Sequence, residues 1–263
     1  MRIHRQRAFT LIELLVVVGI VAVLTATLLP TLSKARATAA RTACASNLRQ
    51  VGIMLQLYCN AYGDRLPLGY WGTNQFWASY VIAVDTASYN VCFPLWGKLY
   101  QMRLVSEPRV WYCPTMFDDR FKFNTTSNRW YYTESDIRSK LSTTDPSTGF
   151  IRAGYSLRPT PQGRWLRDVP DSNSAAFYPI SKLRNSPVVS DIIGVPGWSP
   201  LVTGHTGGVN VLYADRSVRL VPPKAWKSYV TSIQGGNTAQ SNYLSFDATG
   251  TISYGIWSEF AKW

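Results

Sequence analysis

Arg7-Ala8-Phe9-Thr10-Leu11-Ile12-Glu13 runs directly into Leu14-Leu15-Val16-Val17-Val18-Gly19-Ile20-Val21-Ala22-Val23-Leu24, and the chain stays apolar or small as far as Leu29-Pro30. At ~1.5 Å rise per residue this is about the length a helix needs to cross a bilayer. Glu13 is the anomaly, since an ionised carboxylate at the centre of such a helix costs roughly 2.5 to 3.5 kcal/mol on insertion scales. Upstream, Arg2, Arg5 and Arg7 act as positive-inside signals that hold the amino terminus in the cytoplasm and send the remainder outward. An ordinary signal peptide cut near Ala35, Ala37 or Ala39 is the weaker account, because the apolar run is long, carries a carboxylate and leads into a second helical pattern.

That second pattern spans Thr31 to Tyr62. It contains no proline, and Cys44, Leu48, Val51, Leu55, Tyr58 and Tyr62 recur at steps of three and four, which makes one apolar helical face. The two halves predict a single helix from Thr10 to Tyr62, roughly 80 Å long at helical rise, with a kink at Pro30 and a packed second half. Gly52 inside it costs up to ~1 kcal/mol relative to Ala, and Gly63-Asp64 followed by Pro67 supplies the stop.

Ala8-Phe9-Thr10-Leu11-Ile12-Glu13 resembles the processing site of type IV prepilins and type II secretion pseudopilins. The resemblance implies cleavage between Ala8 and Phe9 by a prepilin peptidase, N-methylation of Phe9 by the same enzyme, and Glu13 as the carboxylate that pairs with the terminal amine of a neighbouring subunit. Pro30 sits where pilins often carry a helix-kinking proline, while Ala8 replaces the glycine usual before the cut. Asn47-Leu48-Arg49-Gln50-Val51-Gly52, Cys113-Pro114, and the pair His205 and Asp215 with nine residues between them resemble further segments of a pilin-like family, the last being its carboxyl-terminal processing-associated motif. There Arg216 stands in place of glycine, which suggests a different turn type.

The segmentation expected is a basic leader over 1–8, a transmembrane and assembly helix over 9–30, its amphipathic continuation over 31–62 and an exported globular domain over 63–263. The fold class expected is α+β: the long helix packed on an antiparallel sheet, with loop-rich insertions. The net charge of +12 falls to +9 once the three leader arginines are subtracted. Arg152, Arg158, Arg164, Arg167, Lys182 and Arg184 make one stretch locally positive, as a solvated face would be, and as a nucleic-acid contact would also require.

After Pro67 an aromatic group, Tyr70, Trp71, Phe76, Trp77 and Tyr80, reads as loop-rich cover on the helix, with glycan stacking as the sharper reading. A short helix is predicted from Pro94 to about Arg103, and a strand at Arg109-Val110-Trp111-Tyr112-Cys113 ending at Pro114. Thr115 to Gly149 is polar and turn-rich and reads as a surface insertion. Ile151 to Leu157 and Pro187 to Ile193 are strand candidates. The clearest signal is a β-hairpin: Val209, Val211 and Tyr213 alternate with Asn210, Leu212 and Ala214, then Asp215-Arg216-Ser217 turns the chain into Val218-Arg219-Leu220-Val221. A short helix is expected near Ala225 to Ile233.

An exported domain allows its four cysteines to oxidise. Cys44 and Cys59 lie 15 residues apart on one helix, hence ~22 Å, beyond disulfide reach. Full pairing within the chain leaves Cys44 with Cys113 and Cys59 with Cys92, or Cys44 with Cys92 and Cys59 with Cys113; the first is preferred. No Cys-x-x-Cys spacing indicates zinc, and His205 and Asp215 fall near opposite ends of a hairpin arm spanning about 20 Å, too far to share an ion, so no metal and no cofactor are expected. Asp215 is expected to accept backbone amides in its turn, and His205 to fix the loop entering the strand. With His4 lost in the leader, His205 is the single histidine left, and no catalytic motif is present, so an enzyme is not expected.

The function expected is a structural pilin or pseudopilin subunit, held in the inner membrane before assembly into a type IV pilus-like or type II secretion filament. Its partners would be the prepilin peptidase, related subunits, an inner-membrane assembly platform and the bilayer. The rival is a membrane-anchored or filament-tip binding module for glycan or nucleic acid.

Overall fold

The computed structural model describes residues 10–67, 70–71, 74–75, 81–84, 91, 93, 96–105, 107–116, 118–141, 149–157, 179–192, 205, 207–225 and 262–263. The chain divides into two compact units, one through Ala40 and one from Arg41 onward. A single helix, α1, runs Leu11–Ala61 with Pro30 inside it and supplies residues to both.

In the first unit the side chains from Thr10 to Ala39 are exposed, including every large apolar residue from Leu11 to Leu32. The segment is long and apolar enough to cross a membrane. Its few hydroxyls turn back on their own helix. Thr25 donates to the Val21 carbonyl at 2.9 Å, Thr27 to Leu24 at 2.9 Å, Thr31 to Leu28 at 2.7 Å and Ser33 to Pro30 at 2.9 Å. No hydroxyl among these needs an outside partner, as a lipid-facing helix requires. Thr10 caps the helix: Glu13 N donates to Thr10 Oγ1 at 3.3 Å, and the Glu13 carboxylate accepts from both Thr10 N and Thr10 Oγ1 at 2.8 Å. The Thr-x-x-Glu spacing is that of a capping box.

In the second unit α1 buries Cys44, Leu48, Val51, Gly52, Met54, Leu55, Tyr58 and Cys59. The face predicted from spacing is the buried face except for Tyr62, which stacks on Tyr58 but stays half exposed. Each fully buried Leu or Val contributes ~1.5 to 3 kcal/mol, so this face alone anchors the helix. Gly52 offsets its helix-propensity cost through close approach, since a Cβ there would lie 3.1 Å from Leu212 Cδ1. The helix stops at Gly63 and Asp64, both at positive φ, with Asp64 N donating to the Cys59 carbonyl at 2.7 Å.

The main sheet has four antiparallel strands in the order β5 (Tyr155–Leu157), β6 (Pro187–Asp191), β7 (Val209–Tyr213), β8 (Val218–Val221). Two smaller pairs join β1 (Tyr70–Trp71) to β2 (Asn74–Gln75) and β3 (Val81–Val84) to β4 (Phe150–Arg152). The helix α2 is Trp96–Gln101, α3 is Glu134–Lys140 and α4 is Ile180–Leu183. The α+β class and the β7–β8 hairpin are as expected. All five residues of β7 are buried, so the alternation read in the sequence marks a central strand covered on both faces.

Three expectations are corrected. Arg109 to Tyr112 is not a strand: Pro108–Trp111 is a 3-10 turn, opened by Pro108 and capped by Glu107, whose carboxylate accepts from Arg109 N at 3.1 Å. Over its described residues, Thr115 to Gly149 is not a surface insertion. Met116, Phe121, Trp130, Ile137 and Leu141 are core residues, and Asn128 is fully buried, donating to the carbonyls of Lys122 and Arg152 and accepting from Arg152 N, each at 2.9 Å. The polar turns in that segment mask apolar residues that face inward between them. Finally, the absence of glycine at 216 does not keep that position out of the left-handed region. Arg216 takes φ +68, the left-handed position glycine would occupy, and the turn closes through Arg216 N to the Tyr213 carbonyl and Tyr213 N to the Ser217 carbonyl, both 2.9 Å. Ile151 to Leu157 is interrupted at Ala153-Gly154, and the helix expected over 225–233 lies outside the described residues apart from a turn at Pro223–Ala225.

Candidate functional site

Four segments remote in sequence deliver Cys44, Cys113, Asp191 and His205 to one point. Their ligand-capable atoms all lie within 4.8 Å of one another, and all four residues are buried. Cys44 projects from the apolar face of α1. Asp191 is the last residue of β6, opposite Tyr155 of β5, and His205 lies on the segment entering β7.

Cys113 arrives on the arm that follows the Pro108–Trp111 turn. Gly154 lets that arm in: a Cβ there would sit 3.0 Å from Cys113 N and from Tyr112 Cα, while Gly154 N donates to the Trp111 carbonyl at 2.8 Å. From the other side Asn47 Nδ2, one turn along α1 from Cys44, donates to the Tyr112 carbonyl at 3.2 Å.

The four groups are interlocked. Cys44 Sγ donates to Asp191 Oδ1 at 2.9 Å and lies 3.4 Å from the Tyr155 hydroxyl. Asp191 Oδ2 accepts from Asn210 N at 2.6 Å and lies 3.5 Å from His205 Nε2. His205 Nε2 is 3.2 Å from Cys113 Sγ, and its Nδ1 is 3.0 Å from Thr115 Oγ1. Burial pushes the Asp191 carboxyl up to about 7, with the charge of Cys113 adding to the effect. The adjacent Cys44 thiol, together with His205, holds the Cys113 thiol well below its usual range, whereas burial drives Cys44 upward. Burial opposes charge on His205, but Cys113 and Asp191 outweigh it and raise the imidazole; Arg41 acts against them.

The arrangement is not a Cys–His–Asp relay. Such a relay needs the carboxylate on the ring nitrogen remote from the thiol. Here Asp191 and Cys113 face the same nitrogen, Nε2, and no member of the cluster is more than 4% exposed.

Of the residues singled out in the sequence, Ala8, Phe9 and Cys92 lie outside the described residues. Glu13 stands in the first turn of α1. His205 and Asp215 are not brought together: His205 joins the buried cluster, and Asp215 sits in the β7–β8 turn, where it accepts from Ser217 N at 2.9 Å and Ser217 Oγ at 2.7 Å. Cys44, Cys59 and Cys113 are free thiols. Nothing near Asp191 or Thr115 in the sequence marks either residue.

Residues 3–29 match the family model described as the prokaryotic N-terminal methylation motif. No curated protein and no solved structure matches the chain.

Proposed function

We propose that this chain, whose first 29 residues carry the methylation segment typical of type IV pilins and pseudopilins, is a filament subunit delivered through the inner membrane. The observation that carries the reading is the division of α1. The part covered by the motif is apolar and exposed, ready for lipid before assembly and for packing against other helices after it, while the part from Arg41 onward buries one face in a folded domain.

Processing would cut between Ala8 and Phe9 and methylate Phe9, through a prepilin peptidase with methyltransferase activity. The exported domain would remain on the far side of the membrane until an assembly platform extracts it. Glu13 would then pair with the terminal amine of a neighbouring subunit, an ion pair that offsets the cost of a carboxylate among apolar helices. The role is structural, not enzymatic.

The test is Glu13→Val. Membrane insertion is expected to persist and incorporation into filaments to be lost; unchanged incorporation would sink the assembly role. Intact-mass analysis of the mature protein checks the cut and the added methyl group.

A further inference from the structure

We propose that Cys44, Cys113, Asp191 and His205 bind a structural zinc ion that fastens α1 and the Cys113 arm to the main sheet. The donor set is two thiols, one imidazole and one carboxylate, the mixture that tetrahedral zinc accepts and that magnesium or calcium does not. Four protein donors with no opening to solvent are the mark of a closed, structural site.

The distances approach those of a zinc site. With Zn–S ~2.3 Å and Zn–N or Zn–O ~2.0 to 2.2 Å, tetrahedral donors lie roughly 3.3 to 3.8 Å apart. One donor atom from each of the four residues lies within 4.8 Å of the other three. Cys44 Sγ is 2.9 Å from Asp191 Oδ1 and Cys113 Sγ is 3.2 Å from His205 Nε2, both closer than metal-bound donors stand, so each of these pairs parts by a few tenths of an ångström to admit the ion.

The surrounding groups orient these donors as metal sites require. Thr115 Oγ1 stands 3.0 Å from His205 Nδ1, where it can take the Nδ1–H of the metal-bound tautomer and leave the Nε2 lone pair for the ion. Asn210 N holds Asp191 Oδ2, which aims Oδ1 at Cys44. On binding, two protons leave to solvent, one from Cys44 Sγ and one shared between Cys113 Sγ and His205 Nε2, and the ion takes their place. Two thiolates, a carboxylate and Zn2+ sum to one negative charge, and Arg41, one turn before Cys44, is close enough to act on His205 electrostatically.

A Cys44–Cys113 disulfide is the competing state. It would remove the thiol proton that Asp191 Oδ1 accepts and leave a fully buried carboxylate short of a donor. Zinc satisfies all four groups at once.

The test uses the full chain purified in detergent, without reductant or added metal. Elemental analysis is expected to find about one zinc per chain, and exchange into Co2+ to give the ligand-field bands of a tetrahedral sulfur-containing site. Cys59→Ser should keep the metal and the Cys44→Ser, Cys113→Ser double variant should lose it. Should that variant fail to fold, Thr115→Val, which leaves every ligand in place, is expected to weaken zinc binding roughly tenfold to a hundredfold. Wild-type protein that neither contains nor takes up zinc, a Cys44–Cys113 disulfide found by peptide mass mapping, or zinc retained by the double variant would each overturn the proposal. The filament reading stands or falls separately, since Glu13→Val should leave the zinc content unchanged.

Discussion

Asn47 of α1 donates through Nδ2 to the Tyr112 carbonyl at 3.2 Å, and this bond ties the long helix to the arm whose next residue is Cys113. A second contact from the sheet side, Gly154 N to the Trp111 carbonyl, clamps the same arm. The Asn47-Leu48-Arg49-Gln50-Val51-Gly52 segment thus performs two packing tasks, Asn47 holding the arm and Gly52 admitting Leu212.

Asn47→Ala is expected to lower stability by about 1 to 2 kcal/mol, because the Tyr112 carbonyl loses its donor in a partly buried setting. Thermal melts of the detergent-solubilised chain measure it, and hydrogen exchange should show faster opening at Cys113 than in β7.

Gly154→Ala is expected to cost ~1 to 3 kcal/mol, since the new methyl meets backbone atoms that cannot swing aside. Gly207→Ala is the contrast in space, as a Cβ at Gly207 would meet nothing, although its φ of +97 leaves a purely conformational penalty. Denaturant titration of the two variants separates crowding from backbone strain.

Arg216→Gly is expected to stabilise the hairpin by about 1 kcal/mol, because φ +68 is costly for arginine and free for glycine. A higher melting temperature with unchanged secondary structure is the outcome sought.

Asp118 supplies a pH test. Burial favours its neutral form, yet hydrogen bonds and charge from Arg120, with Arg152 behind, outweigh that and hold the carboxyl below its usual range. Its folded value lies below its unfolded one, so the contribution is fully present above about pH 3.9 and is lost as pH falls through the lowered folded value. Asp118→Asn should therefore be less stable than wild type by ~1 kcal/mol at neutral pH, with the gap closing in acid. Denaturation series at several pH values read the gap directly.

How much was legible in the sequence follows from where the signal lay. The helix from Leu11 to Ala61 and the hairpin Val209–Val221 rest on local periodicity and local turn chemistry, and both are as read. The Cys113 arm departs from the expected strand because Val110, Trp111 and Tyr112 are strand-formers by composition, whereas Glu107-Pro108 ahead of them is a turn-capping signal that prevails. Phe121, Trp130 and Ile137 were hidden among polar turns. The buried cluster could not be read at all, for its members are joined only by folding: Cys44 meets Asp191 across 147 positions and Cys113 meets His205 across 92. The spacing of His205 and Asp215 separates the two along the hairpin arm, but it does not show that His205 meets Asp191, which reaches it from the end of another strand.

In the filament reading, the cap formed by Thr10 and Glu13 would give subunit addition a particular energetic character. A carboxylate held by its own first turn would enter the membrane with its charge already dispersed over two donors. In the filament reading, docking is then a trade of ligands at Glu13, with Thr10 as the leaving partner. The net drive for joining is the difference between two occupied states, a quantity small enough for a machine both to add subunits and to take them back.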